Sequence, residues 1–282
     1  MHRGEIEARG LKLSYVRQGP LGSVDGKTIV LVHGNSAAKE VFAPQFDYFK
    51  DKPIGLLAID LPGHGASDNA TTPETAYTIP GYADAIGDAI SALVEGDYIV
   101  AGWSLGGHIA LELAGRDNKA PNPSFKGLVI FGTPPVGPGM ENVEKAFLPA
   151  TFESATQEAA PSDAMLQTYA RFVYGTLDPI PEAFVAFAKR TDGIARQVMV
   201  QHWMSGTDGF NQAATVATWE KPICVMHGNH DAFVSLDYLK SLAWKNLWDA
   251  KVFEFPKCGH APFLEAPAQF NAVLGEFASG VL

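Results

Sequence analysis

Six short apolar runs with helical patterns between them leave few folds open to this chain. Thr28 to Val32, Ile54 to Ile59, Tyr98 to Ala101, Leu128 to Phe131, Ile223 to Met226 and Val252 to Phe255 are near-continuous stretches of apolar side chains. Strands read this way when both faces are buried, which requires helices packed on either side of a parallel sheet. An earlier run, Leu11 to Val16, adds another strand. Apolar residues recur at helical spacing in Tyr82 to Leu93, Leu105 to Leu113, Leu236 to Leu247 and Phe270 to Phe277. This alternation predicts an open α/β fold with a mostly parallel central sheet flanked by helices. A chain of 282 residues with 46% hydrophobic side chains can bury a core large enough for such a fold without disulfides.

The alternation breaks after Phe131, where Gly132-Thr133-Pro134-Pro135 is rich in turn formers, and resumes at Lys221-Pro222. The interval holds Phe147, Phe152, Met165, Tyr169, Phe172, Phe184, Phe187, Met199, Trp203 and Met204 in windows compatible with helices. Residues 134–219 are therefore expected to form a helical cap inserted into a core of residues 1–133 and 220–282. The cap would cover the C-terminal edge of the sheet, where open α/β folds bind ligands.

A formal charge of −10 repels phosphate backbones and anionic lipid, and no cluster of Lys and Arg reverses it locally. Neither a nucleic-acid partner nor a stable membrane association is expected. Arg3, Glu5, Glu7 and Arg9 interrupt the first residues, so an apolar signal segment is not read there and the cytoplasm is the expected location. Cys224 and Cys258 stand outside any C-x-x-C pair and are read as reduced, structural residues.

Chemistry enters at Gly102-Trp103-Ser104-Leu105-Gly106. This G-x-S-x-G pattern follows a strand and opens a helix, the setting of a nucleophile elbow. The turn is tight, so the positions two before and two after the serine must be small. A serine hydroxyl needs a base within reach and a carboxylate to orient that base. In such sheets the order along the chain is serine, acid, histidine. His2, His33 and His64 precede the serine, His108 lies one turn into its helix, and His202 falls in the cap. Of His227, His230 and His260, only His260 follows the last strand and precedes the final helix, so it is the candidate base. Asp231 follows the Ile223 to Met226 strand and is the candidate acid; Asp237 lies within the next helix and Asp249 too near the next strand. His227 and His230 are spaced as metal ligands would be, but the denser His/Asp cluster of a metal-dependent lactonase is missing, so no metal and no cofactor is called for. Donors to a developing oxyanion are expected from the backbone N–H groups of Leu105, at the start of its helix, and Asn35, in the loop after the Thr28 to Val32 strand. Asp60, in Asp60-Leu61-Pro62-Gly63-His64-Gly65, reads as a loop pin rather than a reacting group.

These residues resemble the α/β-hydrolase superfamily over nearly the whole chain, and more narrowly its metal-independent N-acyl-homoserine lactone lactonases. The similarity rests on His33-Gly34-Asn35-Ser36 with Phe42-Ala43-Pro44-Gln45, and on Gly102 to Ile109. It extends to Gly132-Thr133-Pro134-Pro135, Arg190-Thr191-Asp192-Gly193, Asn246-Leu247-Trp248 and Gly259-His260-Ala261-Pro262-Phe263. The resemblance implies a triad of Ser104, Asp231 and His260, an oxyanion hole at Asn35 and Leu105, and a cap tyrosine that contacts the lactone, matched here by Tyr169. Where a member of that family carries Glu, this chain has Asp231, one methylene shorter.

The expected substrate is a small ester or lactone with an acyl chain, held among Trp103, Phe147, Phe184 and Met199. A carboxylesterase, a perhydrolase or a carbon–carbon bond hydrolase would use the same triad, and a silent ligand receptor of this fold is the reading from another class. Ser104 excludes the relatives that use an aspartate nucleophile at the elbow. Oligomeric state is not legible.

Overall fold

The computed structural model describes residues 1–19, 26–153, 158–204 and 209–282. The side chains of Phe152 and Met204, counted above among the cap aromatics and methionines, lie outside what it describes. Eight strands form one sheet: β1 (His2–Ala8), β2 (Leu11–Gln18), β3 (Lys27–Val32), β4 (Gly55–Ile59), β5 (Asp97–Trp103), β6 (Phe125–Phe131), β7 (Ile223–Gly228) and β8 (Leu247–Phe255). Their spatial order is β1-β2-β4-β3-β5-β6-β7-β8. From β4 to β8 all pairs are parallel, while β1 and β2 add an antiparallel edge. β3, β4 and the inner residues of β5, β6 and β7 are buried on both faces, as their uninterrupted apolar sequence requires.

Helices α1 (Ala43–Phe49), α2 (Pro73–Ala76), α3 (Ile79–Leu93) and α4 (Leu105–Lys119) link the first strands. Between β6 and β7 the chain forms α5 (Met140–Ala146), α6 (Ala150–Glu153), α7 (Asp163–Tyr174), α8 (Glu182–Arg190), α9 (Gly193–Met204) and α10 (Gln212–Thr218). Then come α11 (Leu236–Ser241), α12 (Pro262–Glu265) and α13 (Pro267–Val281). The starts of these helices are written locally. Thr78, Ser162, Asn211 and Ser235 each accept a backbone N–H of the first turn with their side chains. α10, the last helix of the insertion, packs along α4 of the core.

Two expectations are corrected. β1 was not read as a strand, because its charged residues alternate with few apolar ones. It lies at the sheet edge with most side chains exposed, where that composition is tolerated. The helix expected over Leu236 to Leu247 ends at Ser241, and β8 begins at Leu247 rather than Val252. Tertiary hydrogen bonds decide this: Lys245 N–H donates to Val216 O at 2.8 Å and Ile223 N–H to Asn246 O at 2.9 Å. Those bonds hold the backbone extended where the apolar spacing alone would have continued a turn.

The order β4-β3-β5 is the point at which the chain reverses direction across the sheet, and the ends of β3 and β5 lie side by side there. Val32 pairs with Gly102, so His33-Gly34-Asn35 and Trp103-Ser104-Leu105 leave the sheet together. Among the described residues, no helix is long and apolar enough to cross a membrane.

Candidate active site

Ser104 sits between β5 and α4 with φ 53° and ψ −117°. A non-glycine residue is held there only when its surroundings enforce it, at a cost of about 1–3 kcal/mol. The enforcement is visible. Ser104 N–H donates to Phe131 O at 2.9 Å, and the Thr133 hydroxyl donates to Ser104 O at 2.9 Å. A side chain at Gly106 would run into the backbone of Val32, so glycine at that position lets α4 close on β3.

Asp231 follows β7 and His260 follows β8, on neighbouring strands. His260 Nδ1 lies 2.9 Å from Asp231 Oδ2 and 3.0 Å from Oδ1. Asp231 Oδ1 also accepts the N–H groups of Phe233 at 2.8 Å and Val234 at 3.2 Å, an Asx-type turn that orients the carboxylate. Burial acts to raise the Asp231 pKa. Attraction to His260 and the hydrogen bonds outweigh it, so the group lies below its ordinary value and is ionised at neutral pH. An ionised carboxylate only accepts, which puts the ring hydrogen on Nδ1 and leaves Nε2 as the basic atom. Trp103 Nε1 donates to His260 O at 2.8 Å, and the Phe233 ring meets the imidazole edge-on at 4.7 Å. Gly132, at φ 58°, lies where a Cβ would come within 2.9 Å of His260 Cε1, so the histidine loop needs glycine there.

Ser104 and His260 line one cavity of about 240 Å³. Among the described residues no hydrogen bond joins their side chains. Such bonds are often long in free enzymes and tighten with substrate. Asn35 and Leu105 line the same space. The Leu105 N–H opens α4 and so lacks an intrahelical acceptor. Tyr169, from α7, is buried and donates its hydroxyl to Asn35 O at 3.0 Å. Arg196, from α9, is buried and donates Nε–H to the Ser36 hydroxyl at 2.9 Å. Two helices of the segment between β6 and β7 thus grip the loop that carries Asn35.

Of the proposed acyl-chain contacts, Phe147 and Met199 line the cavity and the other two do not. Trp103 is buried beneath His260, and Phe184 packs on Tyr174 with ring centroids 4.5 Å apart. Neither lines the cavity: Trp103 packs on His260, Tyr174 and Phe263, and Phe184 on Tyr174 and Phe187. Ile79, His108, Thr151, Val200, Trp203 and Phe233 were missed as lining residues. For His108 a signal existed: it lies four residues after Ser104 on α4, hence on the same helix face. For Phe233 the signal was its place two residues after the acid. The segment after β6 and the loop after Asp231 are joined by backbone, since Leu148 N–H donates to Phe233 O at 2.8 Å and Ser235 N–H to Ala146 O at 3.0 Å.

Asp60 accepts the Lys39 N–H at 2.7 Å, the Lys39 ammonium at 2.6 Å and the Ala66 N–H at 2.8 Å, so it fastens two loops and does not face the cavity.

Comparison with known proteins extends the same picture. The chain is similar to a pimeloyl-(acyl-carrier protein) methyl ester esterase of Stenotrophomonas maltophilia, 29% identical, over 91% of this chain and 94% of that one. It is 25% identical to the esterase of the same name from Nitrosomonas europaea, over 87% of this chain and 93% of that one. Among solved structures, the N-acyl homoserine lactonase AidH complexed with N-butanoyl homoserine superposes with a TM-score of 0.88. It is 36% identical, over 98% of this chain and 96% of that one. The model of the alpha/beta hydrolase family matches residues 29–273. With the parallel sheet and strained serine turn of that fold, and a lactonase among its near structural neighbours, the chain belongs to the alpha/beta hydrolase family.

Proposed function

We propose that this protein is a serine hydrolase of esters that opens the lactone ring of N-acyl-homoserine lactones with Ser104, His260 and Asp231. The observation that carries the reading is the strained Ser104 facing the same cavity as an Asp231-anchored His260, roofed by cap residues Phe147, Tyr169, Met199 and Trp203. Likeness to the lactonase AidH over 98% of the chain supports the substrate class. Residues 134–219 act as the cap, with the end of α10 built into the core.

In the reaction Ser104 Oγ attacks the lactone carbonyl carbon while His260 Nε2 takes the hydroxyl proton. The oxyanion is met by the N–H groups of Leu105 and Asn35. Collapse breaks the ring C–O bond, and His260 returns the proton to the departing alkoxide. Water, activated by His260, then cleaves the acyl-enzyme to give the acyl-homoserine carboxylate, with net release of one proton. No step calls on a metal.

A second reading, hydrolysis of simple carboxylic esters, is favoured by the names of the sequence relatives. Mass spectrometry decides between them. Acyl-homoserine lactones of graded chain length should each gain one water, and p-nitrophenyl esters of the same acids should react more slowly. Ser104→Ala should cut kcat by about four to six orders of magnitude. Brisk ester hydrolysis with every lactone intact would reject the lactonase reading. Undiminished turnover by Ser104→Ala would reject the triad.

A further inference from the structure

The reaction above leaves His108 without a task, although its ring lines the cavity beside Phe147 and Trp203. Centroid distances to those rings are 6.2 and 6.1 Å. Its Nδ1 lies 2.8 Å from Gln212 Oε1. The orientation of that amide is fixed by two further contacts: Val136 N–H donates to Oε1 at 3.4 Å, and Gln212 Nε2 donates to His108 O at 3.4 Å. Turning the amide would set its N–H groups against the Val136 N–H. An amide oxygen only accepts, so the ring hydrogen is on Nδ1 and Nε2 carries a bare lone pair. Burial, opposed by the Gln212 bond, lowers the His108 pKa to about 4, so the ring is neutral at neutral pH. Nε2 has no hydrogen bond among the described residues. With Nδ1 turned to Gln212, the opposite edge of the ring, which carries Nε2, is the one left to the cavity that His108 lines.

A solitary acceptor in an apolar wall discriminates by chemistry. It rewards a ligand that brings an O–H, repels one that brings only another lone pair, and gains nothing from a hydrocarbon. His108 lies about one turn into the helix that Ser104 opens, on the side that lines the same cavity, so the O–H within its reach belongs to the part of the acyl chain nearest the amide.

We propose that His108 Nε2 is a specificity-determining acceptor in the acyl compartment, selecting acyl chains that carry a hydroxyl close to the amide, as on the third carbon. The inference rests on the lactonase reading. A ketone at the same carbon presents only lone pairs to Nε2, and an unsubstituted chain leaves Nε2 unpaired.

The test compares kcat/KM for 3-hydroxyhexanoyl, 3-oxohexanoyl and hexanoyl homoserine lactones with the wild-type enzyme and with His108→Phe. The wild-type enzyme should favour the hydroxy substrate by about tenfold over each of the others. In His108→Phe, whose ring still fills the space against Phe147 and Trp203, the ratios should fall to about one, whatever its overall activity. Equal kcat/KM for the three substrates in the wild-type enzyme overturns the inference alone, as does a hydroxy preference that survives in His108→Phe. Failure to open any of the three, with p-nitrophenyl hexanoate still hydrolysed, overturns the lactonase reading and this inference with it.

Discussion

The Tyr169 hydroxyl does not hang free in the cavity but donates to the carbonyl of Asn35, whose own N–H is assigned to the oxyanion. Its contribution is therefore tied to the geometry of that loop. Tyr169→Phe keeps the ring volume and removes one neutral hydrogen bond, worth about 0.5–1.5 kcal/mol. If that energy is spent on holding the oxyanion donor, kcat falls about 2- to 10-fold with KM little changed. A rise in KM at constant kcat would instead make Tyr169 a ground-state substrate contact. The candidates Ser104, Asp231 and His260 could be named from the sequence because the order of such residues relative to strands is imposed by the fold. The sequence did not separate Trp103 and Phe184, which lie outside the cavity lining, from Phe147, which is in it, because an aromatic near a site has the same signature whether it faces the cavity or props up what does.

At the scale of elements, the site depends on loops that follow β3 and β4, and a buried ion pair fastens them. Lys39 Nζ lies 2.6 Å from Asp60 Oδ2, with both side chains almost wholly removed from solvent. Breaking such a pair leaves one charge uncompensated in the interior. Lys39→Met should destabilise the protein by about 3–5 kcal/mol, read as a lower urea midpoint with an unchanged m-value. A midpoint within error of the wild type would show that Asp60 finds other compensation. The strands β3 to β7 were readable from apolar runs, since burial on both faces demands them. β1 was not, because an edge strand shares its charged, alternating composition with many loops. The end of α11 was not readable either. Periodicity reports which face is apolar, whereas the helix stops where distant backbone groups claim Lys245 and Asn246.

For the molecule as a whole, burial lowers the pKa of four of the described histidines, His33, His64, His108 and His227. Burial, the largest influence on each, lowers His33 and His108 to about 4 and His64 to about 3. In the unfolded chain the same groups titrate near 6.5. Between these values the unfolded state binds more protons than the folded one, so stability rises with pH. It is fully present above about pH 6.5 and is lost as pH falls toward 4, by about 1.4 kcal/mol per pH unit for each histidine in that window. Urea unfolding at pH 7.0 and 5.0 should show a clear drop in midpoint. Equal midpoints would mean that the histidines are protonated in the folded protein too.

The sequence by itself determined the sheet-and-helix alternation, the tight turn at Ser104 and the order of Ser104, Asp231 and His260 after their strands. These follow from local rules: apolar periodicity, small residues around a tight turn, and chain order in a parallel sheet. Tertiary structure alone decided which rings between β6 and β7 face the cavity, that Tyr169 and Arg196 grip the Asn35–Ser36 loop, and that Gln212 fixes the His108 tautomer. Such contacts join residues as far apart in the chain as Ser36 and Arg196. Their partners are chosen by the packing of cap on core, which no local pattern encodes.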